Sequence, residues 1–363
     1  MNIWGITGTN GKTTTTWVLE AFLKRLGPTG HITTVEVDTG ARTFSSGYTT
    51  PPNAVLKDIF AEMEANGVAN CVMEVSSHAI HQNRTAGTLF AGGGFTNLSE
   101  DHLDYHKTME GYYAAKRLFF ERLAVENPGA PAAICVNGEW GRRLANDLRG
   151  LPLWLLTCGE CEDADFARFV AEASPLAGRY NVENVMVAAA LARAAGVAEA
   201  DIRAVVPTLT PRWGRLERVK TRSAAEVFVD YAHTDDALAN VLSTVKAFTR
   251  GRVWAVFGAG GDRDRAKRPL MGAAAARFAD ALVVTSDNPR SEDPQSIIQQ
   301  IVAGVPLGVP LVVEPDRRQA IFRALAAAAE GDTVVVCGKG HETTQTIGDQ
   351  VLSFDDRKVC AEY

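Results

Sequence analysis

Residues 5–16 read GITGTNGKTTTT, which places Lys12 and Thr13 directly after Gly8 and Gly11. An apolar run precedes this glycine loop and a stretch with helical spacing follows it. Such a loop suits an anion, because its backbone N–H groups and the N-terminus of the next helix point at phosphate oxygens. A lysine at this place neutralises β- and γ-oxygens, and the threonine hydroxyl after it reaches Mg²⁺. The strict G-x-x-x-x-G-K-[ST] spacing is not met, because residue 6 is Ile. A chance glycine turn is the bland alternative. The flanking strand and helix favour a nucleotide site built from Gly8, Thr9, Asn10, Gly11, Lys12, Thr13 and Thr14.

Further chemistry-bearing residues follow in MEVSSHAIHQNR (73–84), FTNLSEDHLDYH (95–106) and YYAAKRLFF (112–120). Glu74 ends a buried apolar run, which aims it at the rim that carries the glycine loop. His102 comes after another such run. A carboxylate and an imidazole at one rim suit a metal bound to phosphates. Taken alone, His102 reads more often as a capping or core histidine.

The elements that must position these groups alternate between strands and helices. Strands are expected over residues 2–7, 69–75, 94–98, 132–136 and 151–156, and helices over 13–26, 112–124 and 181–195. A second series has strands over 226–231, 252–258, 281–285, 311–313 and 333–337, and helices over 237–248 and 320–329. This rhythm predicts an α/β chain: a mostly parallel sheet carrying the phosphate loop, then a smaller Rossmann-like α/β domain. The turn-rich stretch 207–214 (PTLTPRWG) is the expected linker, giving domains over 1–213 and 214–363.

The bulk numbers agree. A chain of 363 residues has room for two or three domains. A net charge of −6 favours neither nucleic acid nor an anionic membrane as partner. No apolar run approaches the roughly 18 residues of a membrane helix, and no signal-peptide pattern opens the chain. A cytoplasmic monomer is expected. Cys158 and Cys161 form a CxxC without the second pair of a zinc ribbon, so they and Cys71, Cys135, Cys337 and Cys360 read as reduced structural thiols.

The motifs GTNGKT, EVSSH, TNLxxDHLDYH and AAK, in that order, resemble the Mur ligase family. YNVEN (180–184), GRLERV (214–219), VDYAHTDDAL (229–238), GAGGDRDRAKRPLM (258–271), SDNPR (286–290) and GKGHE (338–342) extend the resemblance to the C-terminus and make it the MurE type. That type adds the third residue of the peptidoglycan stem. The resemblance implies a ligase that activates a carboxylate with ATP, passes through an acyl phosphate and forms an amide.

It also implies residue roles. Lys12 and Thr13 would hold phosphates and Mg²⁺, with Glu74 and His102 as ligands of a second Mg²⁺. Lys116 matches a carbamylated lysine, whose anion binds the metal that a bare ammonium repels. The plain reading of a helical lysine is a solvated surface group. Asn181 and Asn184 match the adenine-side motif, and Arg215, Asp230 and His233 the positions where the C-terminal domain closes over ATP. Asp287-Asn288-Pro289-Arg290 marks users of meso-diaminopimelate, whose distal carboxylate suits an arginine fork. As structure alone, Asn-Pro reads as a turn. Arg263, Gly338 and Glu342 match the other contacts of this amino acid, with Glu342 suited to its distal ammonium. Thr49, Thr50, Ser76 and Arg84 match positions that hold the dipeptide part of the muropeptide acceptor.

The chain departs from the family pattern in three places. No domain precedes the phosphate loop, where the family has one for the UDP-sugar. This implies a cut chain, a separate chain that supplies the domain, or an acceptor without the full UDP anchor. Residues 157–179 replace a longer stretch that builds a small antiparallel sheet. Position 235 is Asp where the family has Pro. The leading expectation is a ligase joining meso-diaminopimelate to a D-Glu-containing muropeptide. The alternatives are a ligase of other small acids or peptides, and a nucleotide-binding module without turnover.

Overall fold

The computed structural model describes residues 1–212 and 214–363; Trp213, inside the expected linker, lies outside the described residues. The chain forms two compact units, Met1–Ser99 with His106–Thr210, and Glu100–Tyr105 with Pro211–Tyr363. Both are α/β, as the alternation of runs predicts.

The first unit opens with β1 (Asn2–Thr7), α1 (Lys12–Leu23), β2 (Thr29–Ile32), β3 (Val37–Asp38), β4 (Thr43–Phe44), α2 (Asn53–Ala65), β5 (Asn70–Glu74) and α3 (Ser77–His81). It continues with β6 (Phe90–Phe95), α4 (Leu103–His106), α5 (Met109–Glu126), β7 (Pro131–Cys135), α6 (Glu139–Asp147), β8 (Trp154–Cys158), α7 (Ala164–Ala173), α8 (Arg179–Ala194) and α9 (Glu199–Val205). Leu103–Tyr105 of α4 group with the second unit.

Among the described residues the sheet runs β4-β3-β2-β5-β1-β6-β7-β8. It is parallel except at the β2–β3 and β3–β4 pairs. β1 is central, with Ile6 opposite Glu74 and Thr7 opposite Phe95, so the C-terminal ends of β1, β5 and β6 share one rim. Its side chains alternate between two apolar cores: Ile3 faces one with Phe119, Phe120 and Met73, and Trp4 and Ile6 face the other with Val18, Leu19 and Val187. Sheet faces covered by helices on both sides explain the apolar character of these strands.

Three expected elements need correction. The strand expected over 151–156 is Trp154–Cys158, and residues 151–153 belong to the preceding bend. The strand expected over 94–98 is Phe90–Phe95, and residues 96–98 belong to a loop. The run Gly92-Gly93-Gly94 looks like a turn but sits inside the strand. A Cβ there would meet Trp4 at 2.7 Å, Phe119 at 2.6 Å and Ile6 at 2.9 Å, so only glycine leaves room for these neighbours. The helix expected to reach residue 26 stops at Leu23. Arg25 and Leu26 donate instead to Phe22 and Leu23, the tighter bonding of a closing turn.

The second unit holds β9 (Glu217–Val219), β10 (Glu226–Asp230), α10 (Asp235–Phe248), β11 (Val253–Phe257), α11 (Lys267–Phe278), β12 (Ala281–Val284) and α12 (Pro294–Val302). Then come β13 (Leu311–Val313), α13 (Arg317–Ala327), β14 (Thr333–Cys337), the hairpin β15 (Thr344–Ile347) and β16 (Gln350–Ser353), and α14 (Asp356–Glu362). The sheet order is β13-β12-β11-β14-β10-β9, antiparallel only at β9–β10. Its valine-rich strands bury Val227, Val229, Val256, Val283, Val334 and Val336 with Ile321 and Leu325. Asp230 lies opposite Cys337 and Phe257 opposite Val284, so the loops after β10, β11, β12 and β14 share one rim.

Candidate active site

The glycine loop joins β1 to α1. Gly11 caps α1 with φ 85° and, as a glycine, brings no side chain to the start of the helix. A helix N-terminus of this kind is where backbone N–H groups can hold an anion. A Cβ on Gly8 would lie 1.9 Å from Thr96 Oγ1, and one on Gly11 2.1 Å from Asn184 Oδ1. The loop is therefore threaded between two polar side chains that tolerate no larger residue. Residues 96–99 strap it in place. Thr96 Oγ1 and Asn97 Nδ2 both donate to Asn10 O (2.6 and 3.1 Å), Asn10 N donates to Asn97 Oδ1 (2.9 Å), and Ser99 N donates to Thr9 Oγ1 (3.0 Å).

Two ammonium groups converge on one oxygen of this loop. Lys12 Nζ donates to Gly8 O at 3.0 Å and to Thr9 O at 2.9 Å. Lys116 Nζ, on α5 and 1% exposed, donates to the same Gly8 O at 2.8 Å. Its ammonium also lies 4.6 Å from the Tyr112 ring centre. Two ammonium groups on one carbonyl oxygen concentrate positive charge beside the glycine loop, where phosphate oxygens would bind.

Beside them, Thr13 Oγ1 donates to Glu74 Oε1 at 2.7 Å. Glu74 is 1% exposed. It also accepts from Thr34 N (Oε1, 3.1 Å) and Thr34 Oγ1 (Oε2, 3.1 Å). This hydroxyl–carboxylate pair is a fitting donor set for Mg²⁺, which takes oxygen ligands at phosphate sites. Thr34 Oγ1 also donates to Thr49 Oγ1 at 2.8 Å. Thr50 Oγ1 donates to Glu74 O (2.9 Å), Ser76 N donates to Thr50 Oγ1 (3.0 Å), and Arg84 Nη1 donates to Thr50 O (3.0 Å). The structure thus gathers Thr49, Thr50, Ser76 and Arg84 around the end of β5. In α8, Asn184 Nδ2 donates to Asn181 Oδ1 at 3.2 Å, and Asn181 Nδ2 to Ala177 O at 2.7 Å.

His102 belongs to the 100–105 segment, within the second unit. Its φ is 57° and its Nε2 lies 3.4 Å from Asp101 Oδ2. Asp101 is buried and also faces Lys267 Nζ at 3.3 Å and His233 Nε2 at 3.7 Å. Burial pushes its carboxyl up, but the His233 hydrogen bond and the Lys267 charge outweigh burial and hold it well below the usual range. Asp230 braces two turns, accepting from Leu216 N (2.6 Å) and Ala232 N (2.7 Å), and burial pushes its carboxyl up. Arg215 stacks on the Tyr231 ring at 4.7 Å.

The same rim of the second unit gathers the 287–290 and 338–342 motifs. Arg290 has φ 51°, and its Nη1 donates to Gly261 O at 2.7 Å. Asn288 Nδ2 and Lys339 Nζ both donate to Glu342 Oε2 (2.8 and 2.9 Å), and Lys339 also bonds Asn288 Oδ1 at 3.1 Å. Asp287 Oδ1 accepts from Asn288 N, whereas its buried Oδ2 has no hydrogen-bond partner. That oxygen faces Gly338, where a Cβ would come within 2.5 Å of it. Glycine at 338 avoids the clash a side chain would make with this oxygen. Gly261 allows a similar approach, since a Cβ there would strike Pro289 O at 1.8 Å. Arg263 Nη1 bonds Asp262 O at 3.0 Å.

The model of the Mur ligase middle domain matches residues 6–192, and that of the Mur ligase glutamate ligase domain matches residues 214–340. A UDP-N-acetylmuramoyl-L-alanyl-D-glutamate--2,6-diaminopimelate ligase of Solibacter usitatus is 43% identical over 381 residues, spanning 100% of this chain and 77% of the relative. The chain belongs to the Mur ligase family. A ligase of the same name from Geobacillus thermodenitrificans is 41% identical over 382 residues, covering 99% of this chain and 78% of that protein. A solved structure bearing that ligase name aligns with TM-score 0.63 and 31% identity, over 99% of this chain and 77% of that one. Folylpolyglutamate synthase of Mycobacterium tuberculosis, solved with ADP and AMPPCP, shares the fold at TM-score 0.68 and 18% identity, over 93% of this chain and 88% of that one.

Two of the departures from the Mur ligase pattern have structural counterparts. Residues 157–179 form the end of β8 and the helix α7, capped by Asp163 onto Phe166 N. α7 buries Phe166, Ala167 and Val170 in the same core as α1 and α8. Asp235 is the first residue of α10, after the Thr234 cap. Proline and aspartate both suit a first helical turn, so the exchange leaves the helix start intact. The sequence reading missed Thr34, Thr96, Asn97, Asp101 and Lys339. The TNL and GKGHE motifs contain the last four, but nothing around Thr34 distinguishes it.

Proposed function

We propose that this Mur ligase forms an amide between meso-diaminopimelate and the D-Glu carboxylate of a muropeptide acceptor, splitting ATP to ADP and phosphate. The observation that carries the reading is the convergence of Lys12 and Lys116 on Gly8 O beside the Thr13–Glu74 pair. A site that must draw an anionic carboxylate toward a γ-phosphate needs cations and backbone donors to dominate. The glycine-capped start of α1 and Lys12 cradle the phosphates, with Gly8 to Thr14 around them.

Mg²⁺, when bound, neutralises phosphate charge and polarises the transferred group. Thr13 and Glu74 would hold it, with His102 and a carbamate on Lys116 as further ligands. Carbamylation turns the buried Lys116 ammonium into an anion and removes its repulsion with Lys12. Asn181, Asn184, Arg215, Asp230 and His233 complete the proposed ATP set. Thr49, Thr50, Ser76 and Arg84 hold the acceptor.

Arg290 and Arg263 bind the distal carboxylate of the amino acid. Asp287 and Glu342 take its ammonium groups, with Asn288, Pro289 and Gly338 shaping the pocket. The protein works as a cytoplasmic monomer in this reading, with domains over 1–213 and 214–363.

The test is phosphate release from ATP with Mg²⁺, meso-diaminopimelate and UDP-MurNAc-L-Ala-D-Glu, with lysine as control. Release that needs diaminopimelate and the acceptor, and that lysine does not support, is the expected result. Equal release with lysine overturns the amino-acid assignment. ATP binding with no amine-dependent release under any acceptor overturns the ligase assignment.

A further inference from the structure

Between α1, β2 and β3 of the first unit lies a cluster that the proposed ligase reaction does not use. Glu20 on α1, His31 on β2 and Asp38 on β3 each offer a ligand atom, all within 4.8 Å of one another. The sheet fixes two of them, because His31 and Asp38 are directly opposed in the β2–β3 pair. Glu20 and His31 are 1% and 2% exposed. His31 Nδ1 lies 3.1 Å from Glu20 Oε2, whereas the buried Nε2 makes no hydrogen bond and has Glu36 Oε1 at 3.5 Å.

We propose that Glu20, His31 and Asp38 form a binding site for a divalent transition-metal cation of the Zn²⁺ class. Imidazole with carboxylates is a ligand set of that class. In this site Nδ1 carries the metal, and Nε2–H turns toward Glu36, the outer carboxylate that fixes the tautomer of a metal-bound histidine. Charge supports the cation. Two of the ligands are carboxylates, whose combined charge matches a dication once the imidazole is neutral. Lys24 Nζ lies 2.7 Å from Glu20 Oε1. Lys24 is half exposed, so it can leave Glu20 for solvent when a metal arrives.

The probe is Zn²⁺, titrated calorimetrically into the metal-stripped full chain with excess Mg²⁺ present and Cys161→Ser in the background to remove the exposed thiol. One equivalent binds, and the melting temperature rises. Asp38→Asn and His31→Gln each lose most of the affinity, and Glu36→Gln weakens it about 10- to 100-fold as an outer partner. Asp38 is half-buried and its exchange to Asn is nearly isosteric, so this variant reads the site even if His31→Gln fails to fold. Co²⁺ in place of Zn²⁺ gives a visible spectrum that vanishes in Asp38→Asn. No uptake, or uptake unchanged in folded Asp38→Asn, overturns the site and leaves an imidazolium held between Glu20 and Glu36. These readouts do not depend on turnover.

Discussion

Lys116 is the residue whose chemistry most exceeds its letter in the sequence. A lysine on a helix is ordinarily solvated, but this one is 1% exposed and shares Gly8 O with Lys12. Lys116→Ala is expected to abolish amine-dependent phosphate release, and excess bicarbonate is expected not to restore it. Activity near that of the unchanged protein would sink the carbamate. Thr34 is a positioning residue, bonding both oxygens of Glu74 through its amide and hydroxyl. Thr34→Val keeps the amide bond and loses the hydroxyl, so kcat should fall about 10- to 100-fold with nucleotide binding retained. An unchanged kcat refutes that role. Arg290→Ala should chiefly raise KM for diaminopimelate, with selectivity over lysine reduced; intact selectivity contradicts the assignment of Arg290. The phosphate loop, Glu74 and the 287–290 motif were legible because motif spacing is local. Thr34 was not, because its contact spans 40 residues and threonine is common.

At the scale of elements, buried arginines tie the second unit together. Arg317 on α13 bonds both oxygens of Asp356 on α14 (2.8 and 2.7 Å), and the carbonyls of Ser286 and Cys337 that lead into the 287–290 and 338–342 loops. Both side chains are fully buried, so Arg317→Met should cost about 3–5 kcal/mol in urea unfolding by stranding a charge. Arg268 on α11 holds Glu292, before α12, through both oxygens. The Arg268 hydrogen bonds, against the cost of burial, hold the Glu292 carboxyl down to about 2. A depressed carboxyl stabilises above its ordinary value near 4.5, and that stabilisation is lost as pH falls toward about 2. The drop in urea midpoint from pH near 6 to about 3 should therefore be smaller in Glu292→Gln than in the unchanged chain. Equal drops would exclude the pair as a pH-dependent contributor. These ties were invisible in the sequence, where Arg268 and Arg317 look like any surface arginine. The helices carrying them show little apolar periodicity to mark a buried face.

At the scale of the whole molecule, alternation of apolar runs and helical spacing was enough to give the α/β class, since period and turn residues are written locally. Strand order was not written there, because it depends on contacts between distant segments. That order has a consequence in time. β1, residues 2–7, is flanked by β5 and β6, which end at residues 74 and 95. During synthesis at about 5–20 residues per second, the central strand waits on the order of 5–20 s for both neighbours to exist. Through that interval Ile3, Trp4 and Ile6 have no sheet to enter. The nascent chain is thus an apolar client for whatever holds emerging polypeptides at the ribosome, and a slowed ribosome before residue 95 lengthens its exposure.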